Sequence, residues 1–206
     1  MLNGLFEDTI EPIRGAFEGL VPQDRIVVWY GPKPVRACEP GNTWRREAAA
    51  QLMRAFVGEL APDVLLVSSL FEGFGDDAAT MIPFPDASFP TAVVLYDLIP
   101  LAQAQTYLDP NPTYRKFYLD KLEQLKRADA WLSISESTKQ EACAKLGING
   151  AAVANIFAAS DPVFRKLPIS LPEAAEFKRA QGIERDFVLY SGGADERKNL
   201  PRLVRV

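Results

Sequence analysis

Histidine is absent from all 206 residues of this chain. Its absence excludes Ser-His-Asp and Cys-His triads, His-bearing zinc sites and an imidazole general base. Cysteine is scarce: Cys38 and Cys143 are the only two. They are too few for a four-thiolate zinc or iron–sulfur site and far short of a disulfide scaffold, so a reducing compartment is the expectation. Long apolar runs are missing too. The longest, residues 64–71 and 89–96, are closed by Glu72 and Asp97, well short of the ~20 residues that span a bilayer. The opening residues lack a basic segment and carry Glu7 and Asp8, so no signal peptide is expected. Positive charge does not dominate either: 23 Lys and Arg against 27 Asp and Glu leave a net charge of -4, which argues against nucleic acid as a partner. The expectation is a soluble, cytoplasmic protein. Its chemistry has to use carboxylates, hydroxyls, cationic side chains and backbone amides, and no metal.

What is present is an alternation of helix-period segments with short apolar runs. Ile10, Ile13, Phe17 and Leu20 lie on one face of a predicted helix that Pro22 stops. Residues 25–30 (RIVVWY) read as a strand, and 31–41, with three prolines and two glycines, as loop. Ala48, Leu52, Phe56 and Leu60 recur every four residues and predict an amphipathic helix. Residues 63–69 (DVLLVSS) and 91–96 (TAVVLY) are unalternating apolar runs, the pattern of strands buried on both faces of a parallel sheet. Asn111-Pro112 starts a helix with Tyr114, Tyr118, Leu122 and Leu125 as its buried stripe. A strand follows at 130–134, then a helix opened by a Ser137–Gln140 capping box and closed by Gly147, then a strand at 152–157. The sum is an α/β fold, a doubly wound Rossmann-like parallel sheet. After about residue 170 the pattern restarts with a helix at 173–181, a strand at 187–190, a glycine turn and a helix from Asn199. These residues are too few to bury a core alone and read as the opening of a second α/β domain. Trp29, Trp44 and Trp131 are expected in the core.

Four stretches could carry chemistry. In 187–200 (FVLYSGGADERKNL), Gly192 and Gly193 let backbone amides approach an anion, and Arg197 and Lys198 add two cations before a helix start. That is a diphosphate cradle, or equally a plain strand–turn–helix junction with solvated cations. Asp97 stands at the carboxyl end of an apolar strand beside Tyr96, where ligands of open α/β sheets bind; the other reading is a turn cap. In 68–77 (SSLFEGFGDD), Ser69, Glu72, Gly73 and Asp76 read as a sugar-binding crevice or as a flexible loop with Asp76 capping a following helix. In SISES, Ser135 reads first as a helix cap and second as a ligand contact.

The motifs VVLYDLIPL, RADAWLSISESTKQEA, the Ser160-Asp161-Pro162 turn and VLYSGGADERKNLPRL, in this order, resemble group 1 (family four) retaining glycosyltransferases of the GT-B fold. Among these the chain looks most like bacterial mannosyltransferase-type enzymes of O-antigen and exopolysaccharide assembly. The resemblance implies two Rossmann-like domains. Residues 1–168 would be most of the acceptor-side domain, with its first βα unit missing before Met1, and 169–206 a linker and the truncated start of the donor-binding domain. It implies a donor diphosphate held by Gly192, Gly193, Arg197 and Lys198. It also implies that Asp97, aided by Tyr96, orients an acceptor hydroxyl, and that Ser69, Glu72, Gly73, Asp76 and Ser135 contact the acceptor.

By the same resemblance the substrates are a nucleotide sugar, GDP-mannose or similar, and a glycan or lipid-linked acceptor, with no cofactor and with peripheral membrane contact open to the intact enzyme. Two departures stand out. Many members have His where this chain has Tyr96, and many have a basic residue where it has Gly193. The downstream paired-glutamate motif lies outside these 206 residues, so the chain alone is expected to be inactive. The alternative is a catalytically silent α/β module that binds glycans or a protein, or a degraded gene product.

Overall fold

The computed structural model describes residues 1–82 and 88–205. The chain forms two compact units, Met1–Ala159 and Ser160–Val206.

Among its described residues the first unit holds six short strands, all in parallel pairs. Strands β1 (Leu2–Asn3) and β2 (Val28–Trp29) pair with each other. Strands β3 (Leu65–Val67), β4 (Thr91–Leu95), β5 (Ala130–Ser133) and β6 (Val153–Asn155) make a four-stranded sheet in that order. The helices are α1 (Glu7–Ala16), α2 (Thr43–Leu60), the short α3 (Ile99–Ala102) and α4 (Ala104–Tyr107), then α5 (Pro112–Leu125) and α6 (Glu136–Leu146). A parallel sheet with helical crossovers is the α/β class expected from the alternating pattern.

The apolar runs explain the sheet's interior. Val93 and Leu95 of β4, flanked by β3 and β5, are buried against Tyr118, Leu122 and Leu125 of α5 and Ala142 of α6. Burying each such side chain contributes about 1.5–3 kcal/mol. Helix α5 begins where the Asn-Pro pair places it: the Asn111 side chain accepts the Tyr114 N–H at 3.0 Å, and Pro112 occupies the first turn. A second cluster joins Leu5, Trp29 and Val35 to Ala49, Met53 and Val57 of α2.

Several expectations are corrected. The buried stripe of α2 is Ala49, Met53 and Val57, one residue on from the predicted 48/52/56/60 set, and Leu52 is 50% exposed. The strand at 25–30 shrinks to Val28–Trp29: a 3₁₀ turn takes Arg25, and its partner β1 pairs over two residues only. Strand β3 lies at the sheet edge with Leu66 exposed, so it is not covered on both faces. Helix α1 ends at Ala16, before Phe17 and Leu20, and buries none of its residues. The cap of α6 is Ser135, not Ser137: its Oγ accepts the Thr138 N–H at 3.1 Å. Trp29 and Trp131 are buried, but Trp44 is 60% exposed, with the Arg45 guanidinium 5.0 Å from its ring centre.

The second unit contains helix α7 (Leu171–Ala180) and the one-and-a-half-turn α8 (Leu200–Arg205). Ser170 and Glu173 form a full capping box at the start of α7, and the hydrogen bonds from Ser170 hold the Glu173 carboxyl below its ordinary range. The predicted strand at 187–190 carries no ladder. A strand's N–H and C=O groups need a neighbour, and no strand occurs among the described residues of this unit. Phe187, Val188, Leu189 and Tyr190 are accordingly exposed, and no described residue of the unit is buried.

Candidate functional site

The carboxyl ends of β3, β4 and β5 gather most of the residues singled out on the acceptor side. β4 ends at Leu95; Tyr96 follows, half exposed, then Asp97. One oxygen of Asp97 accepts the Ile99 N–H at 3.0 Å, a turn-closing bond that leaves the carboxylate at the surface before α3. Its negative charge reaches two phenols of α5. Tyr114 is raised above the ordinary tyrosine value, by burial first and Asp97 second. Tyr118 is raised further, mainly by burial, then by Tyr114 and Asp97.

Tyr96 and Ser135 are tied together through one side chain. Thr138 donates to the Tyr96 carbonyl at 3.1 Å, lies 2.9 Å from Ser135 Oγ, and is itself buried. Ser135 therefore caps α6 while standing beside the end of β4.

The loop after β3 is anchored, not flexible as one reading of its glycines and acids had it. Asp77 accepts the backbone N–H groups of Val35 at 2.7 Å and Arg36 at 3.2 Å. Gly73 and Phe74 carbonyls accept from Ala37 at 2.9 Å and Cys38 at 2.8 Å. Phe71 stacks on Tyr118 and Phe74 meets Tyr114 edge-on, each at 4.9 Å between ring centres. Gly73 is required here: its φ is +96°, and a Cβ would stand 2.2 Å from the Ala78 carbonyl oxygen. Ser69 donates to Glu72 at 2.8 Å. Asp76 caps no helix; it accepts the Ala78 N–H at 2.9 Å within the loop.

Between this loop, α2 and α5 lies a cavity of about 680 Å³, within the range that accepts a small ligand. Its walls include Val35, Ala49, Met53 and Phe117, with Glu72 and Gly73 at the loop side. Of the residues proposed from sequence, only these last two line it. The residue that reasoning from sequence missed is Lys121. It lies in the cavity wall yet is only 7% exposed; its Nζ donates to the Thr80 carbonyl and, at 2.8 Å, to Thr80 Oγ1, and sits 5.6 Å from the Phe117 ring centre. Burial, reinforced by the nearby Arg46 charge and opposed by Glu72, pushes its amine down to about 7. The signal was available: Lys121 is three residues after Tyr118 and four before Leu125, inside the buried stripe of α5.

In the second unit, Gly192 has a φ of +155°, and the Tyr190 hydroxyl donates to the Gly193 carbonyl at 2.8 Å. Arg197 and Lys198 lie in a 3₁₀ turn, Glu196–Lys198, capped by Asp195, which accepts the Arg197 N–H at 3.0 Å and pairs with its guanidinium at 3.3 Å. All four proposed diphosphate contacts are exposed. Among the described residues there is no group of three His, Cys, Asp or Glu side chains placed to hold a metal ion. No described helix is long and apolar enough to cross a membrane.

No protein-family model matches the chain. It is similar to curated proteins bearing the name serotype-specific mannosyltransferase WbdA, from Escherichia coli. One is 30% identical over 201 residues, 97% of this chain and 24% of the relative. Two more are 29% identical over 205 residues, 99% of this chain and 25% and 24% of theirs. The chain thus spans about a quarter of the length of the curated relatives it matches. The similarity therefore spans nearly the whole chain and not a few motifs alone, and the proteins that share it bear the name of mannosyltransferases, which are glycosyltransferases.

Proposed function

We propose that the chain is part of a retaining mannosyltransferase of bacterial surface polysaccharide assembly, which moves mannose from GDP-mannose or a similar nucleotide sugar to a glycan acceptor. The similarity of 97–99% of the chain to mannosyltransferases is the observation that carries this reading. The first unit takes the acceptor. Asp97, at the carboxyl end of β4 where open α/β sheets bind ligands, orients the acceptor hydroxyl, and the Tyr96 phenol beside it supplies a hydrogen bond. The anchored loop bearing Ser69, Glu72, Gly73 and Asp76 shapes acceptor choice, with Ser135 at the neighbouring strand end.

In the second unit, Gly192 and Gly193 offer backbone amides to the donor diphosphate, and Arg197 and Lys198 offset the charge that grows on it as it leaves the anomeric carbon. Donors aimed at a leaving group act where charge develops in the transition state. The test is transfer of labelled mannose from GDP-mannose to a mannose oligosaccharide, offered both neutral and bearing a phosphate or carboxylate, by the intact protein. Lys198→Ala lowers the rate by roughly 10²–10³-fold, as loss of one such donor does elsewhere, and Asp97→Asn lowers it with little change in folding. Unchanged transfer in both variants overturns the assignment.

A further inference from the structure

The cavity between α2 and α5 contains a charge arrangement that acceptor binding through neutral hydroxyls does not require. Lys121 is almost wholly buried; its ammonium donates hydrogen bonds to two neutral oxygens of one residue, Thr80, and otherwise meets the Phe117 ring, 5.6 Å from Nζ. An ammonium has three N–H donors, so one is left over. Arg46, on α2, lines the same cavity close enough to repel Lys121, and it makes no hydrogen bond or ion pair among the described residues. The remaining charges that line the space are Glu47 from α2, Glu72 from the loop after β3, and Lys116 and Asp120 from α5 itself. Lys116 and Asp120 pair with each other at 2.6 Å, and Glu72 accepts from Ser69. Two cations therefore share the cavity without a carboxylate bonded to either. Glu72 offsets this repulsion only in part, since the Lys121 amine still falls to about 7, and two neighbouring like charges favour an opposite charge between them.

We infer that this cavity holds an anionic group of a sugar ligand, a phosphate or a carboxylate, gripped by the Arg46 guanidinium and the third N–H of Lys121, which Thr80 leaves without an acceptor. Charge-assisted bonds of this kind are the strong ones, and a guanidinium offers its paired donors to either anion. The inference rests on the reading of the first unit as the acceptor's place, and it makes that acceptor acidic. Because the anion favours the protonated amine, affinity falls as pH rises past the Lys121 value of about 7.

The test is calorimetric titration of the 206-residue chain with glucuronate, glucose 1-phosphate and glucose, in buffers free of other multivalent anions. At least one acidic sugar is expected to bind about tenfold or more tightly than glucose, because hydrogen bonds to charged groups are the stronger ones. Binding of glucose 1-phosphate alone assigns a phosphate, of glucuronate alone a carboxylate; both support the shared anion site. Arg46→Gln, at a partly buried position outside the closed core, weakens that binding about tenfold while the circular dichroism spectrum is unchanged. Relative to Lys121→Arg, which keeps the charge but not the titration, wild-type affinity drops about tenfold from pH 6 to pH 8. Equal affinity for glucose and both acidic sugars, or binding indifferent to Arg46→Gln, overturns the inference. The assay reads binding alone. Anion binding without sugar transfer by the intact protein would leave this inference standing and remove the transferase reading, and transfer to a neutral acceptor without anion binding would do the reverse.

Discussion

Replacing Lys121 with methionine removes a buried amine while keeping a chain of similar length, and its consequence is a slope. Burial and Arg46 hold the folded-state value near 7, whereas an unfolded lysine titrates at about 10.4. Between these values the unfolded chain carries a proton that the folded chain has shed, so stability rises with pH. Below about 7 both states are protonated and the contribution is flat. From pH 7.5 to pH 9.5 the linkage adds about 2–3 kcal/mol to the unfolding free energy. The raised phenol of Tyr118 keeps its proton over this window and does not cancel the effect. The assay is urea unfolding at four or five pH values, in wild type and Lys121→Met. The wild type is expected to gain stability relative to the variant by that amount, whatever the offset between them at pH 7.5. Parallel pH profiles would show that Lys121 titrates like a solvated lysine, and would refute the reasoning from its burial.

Gly73→Ala places a Cβ against the Ala78 carbonyl at a φ of +96°, and is expected to lower stability by about 1–3 kcal/mol, seen as a fall in Tm. Ser135→Ala removes the cap of α6 and the hydroxyl beside Thr138; a loss of about 1 kcal/mol in urea unfolding is expected, while Ser137→Ala changes little. Limited proteolysis is expected to cut first within Ser160–Val206, where no described residue is buried, leaving a fragment near Met1–Ala159 identified by mass. First cuts within α5 or β4 would count against that order.

The elements most legible in the sequence were those with one unambiguous local signal. Residues 91–95 and 130–133 form strands because an apolar run of that length, shielded on both edges, has nowhere else to go. Asn111-Pro112 and Gly147 mark helix ends through backbone chemistry that distant residues do not alter. The buried stripe of helix α2 lies one position from the one its spacing predicts because Ala48, Ala49, Leu52, Met53, Phe56 and Val57 spread apolar character over two adjoining faces, and only the partner surface selects between them. The stretch 187–190 has strand composition, but a ladder is made with a neighbour, and composition says nothing of one.

The candidate site followed the same division. The places of Asp97 and Ser135 are legible because each follows the end of an apolar strand. Lys121 is a single cation in an apolar stripe, and its burial depends on Thr80, forty-one residues away. The anchoring of Asp77 likewise spans forty-two residues to Val35, a distance no local pattern reports.

That Asp77 clamp has a consequence for recognition. A surface loop ordinarily stiffens only when its guest arrives, and the lost freedom is subtracted from the affinity. Here two main-chain amides on one carboxylate, two crossing carbonyl bonds and a pair of ring contacts have done the stiffening beforehand. The wall that a sugar would meet after β3 is already set. Discrimination among guests then depends on shape and hydrogen-bond fit, and exchanging Asp77 for alanine would blunt selectivity before it touched the rate of any chemical step.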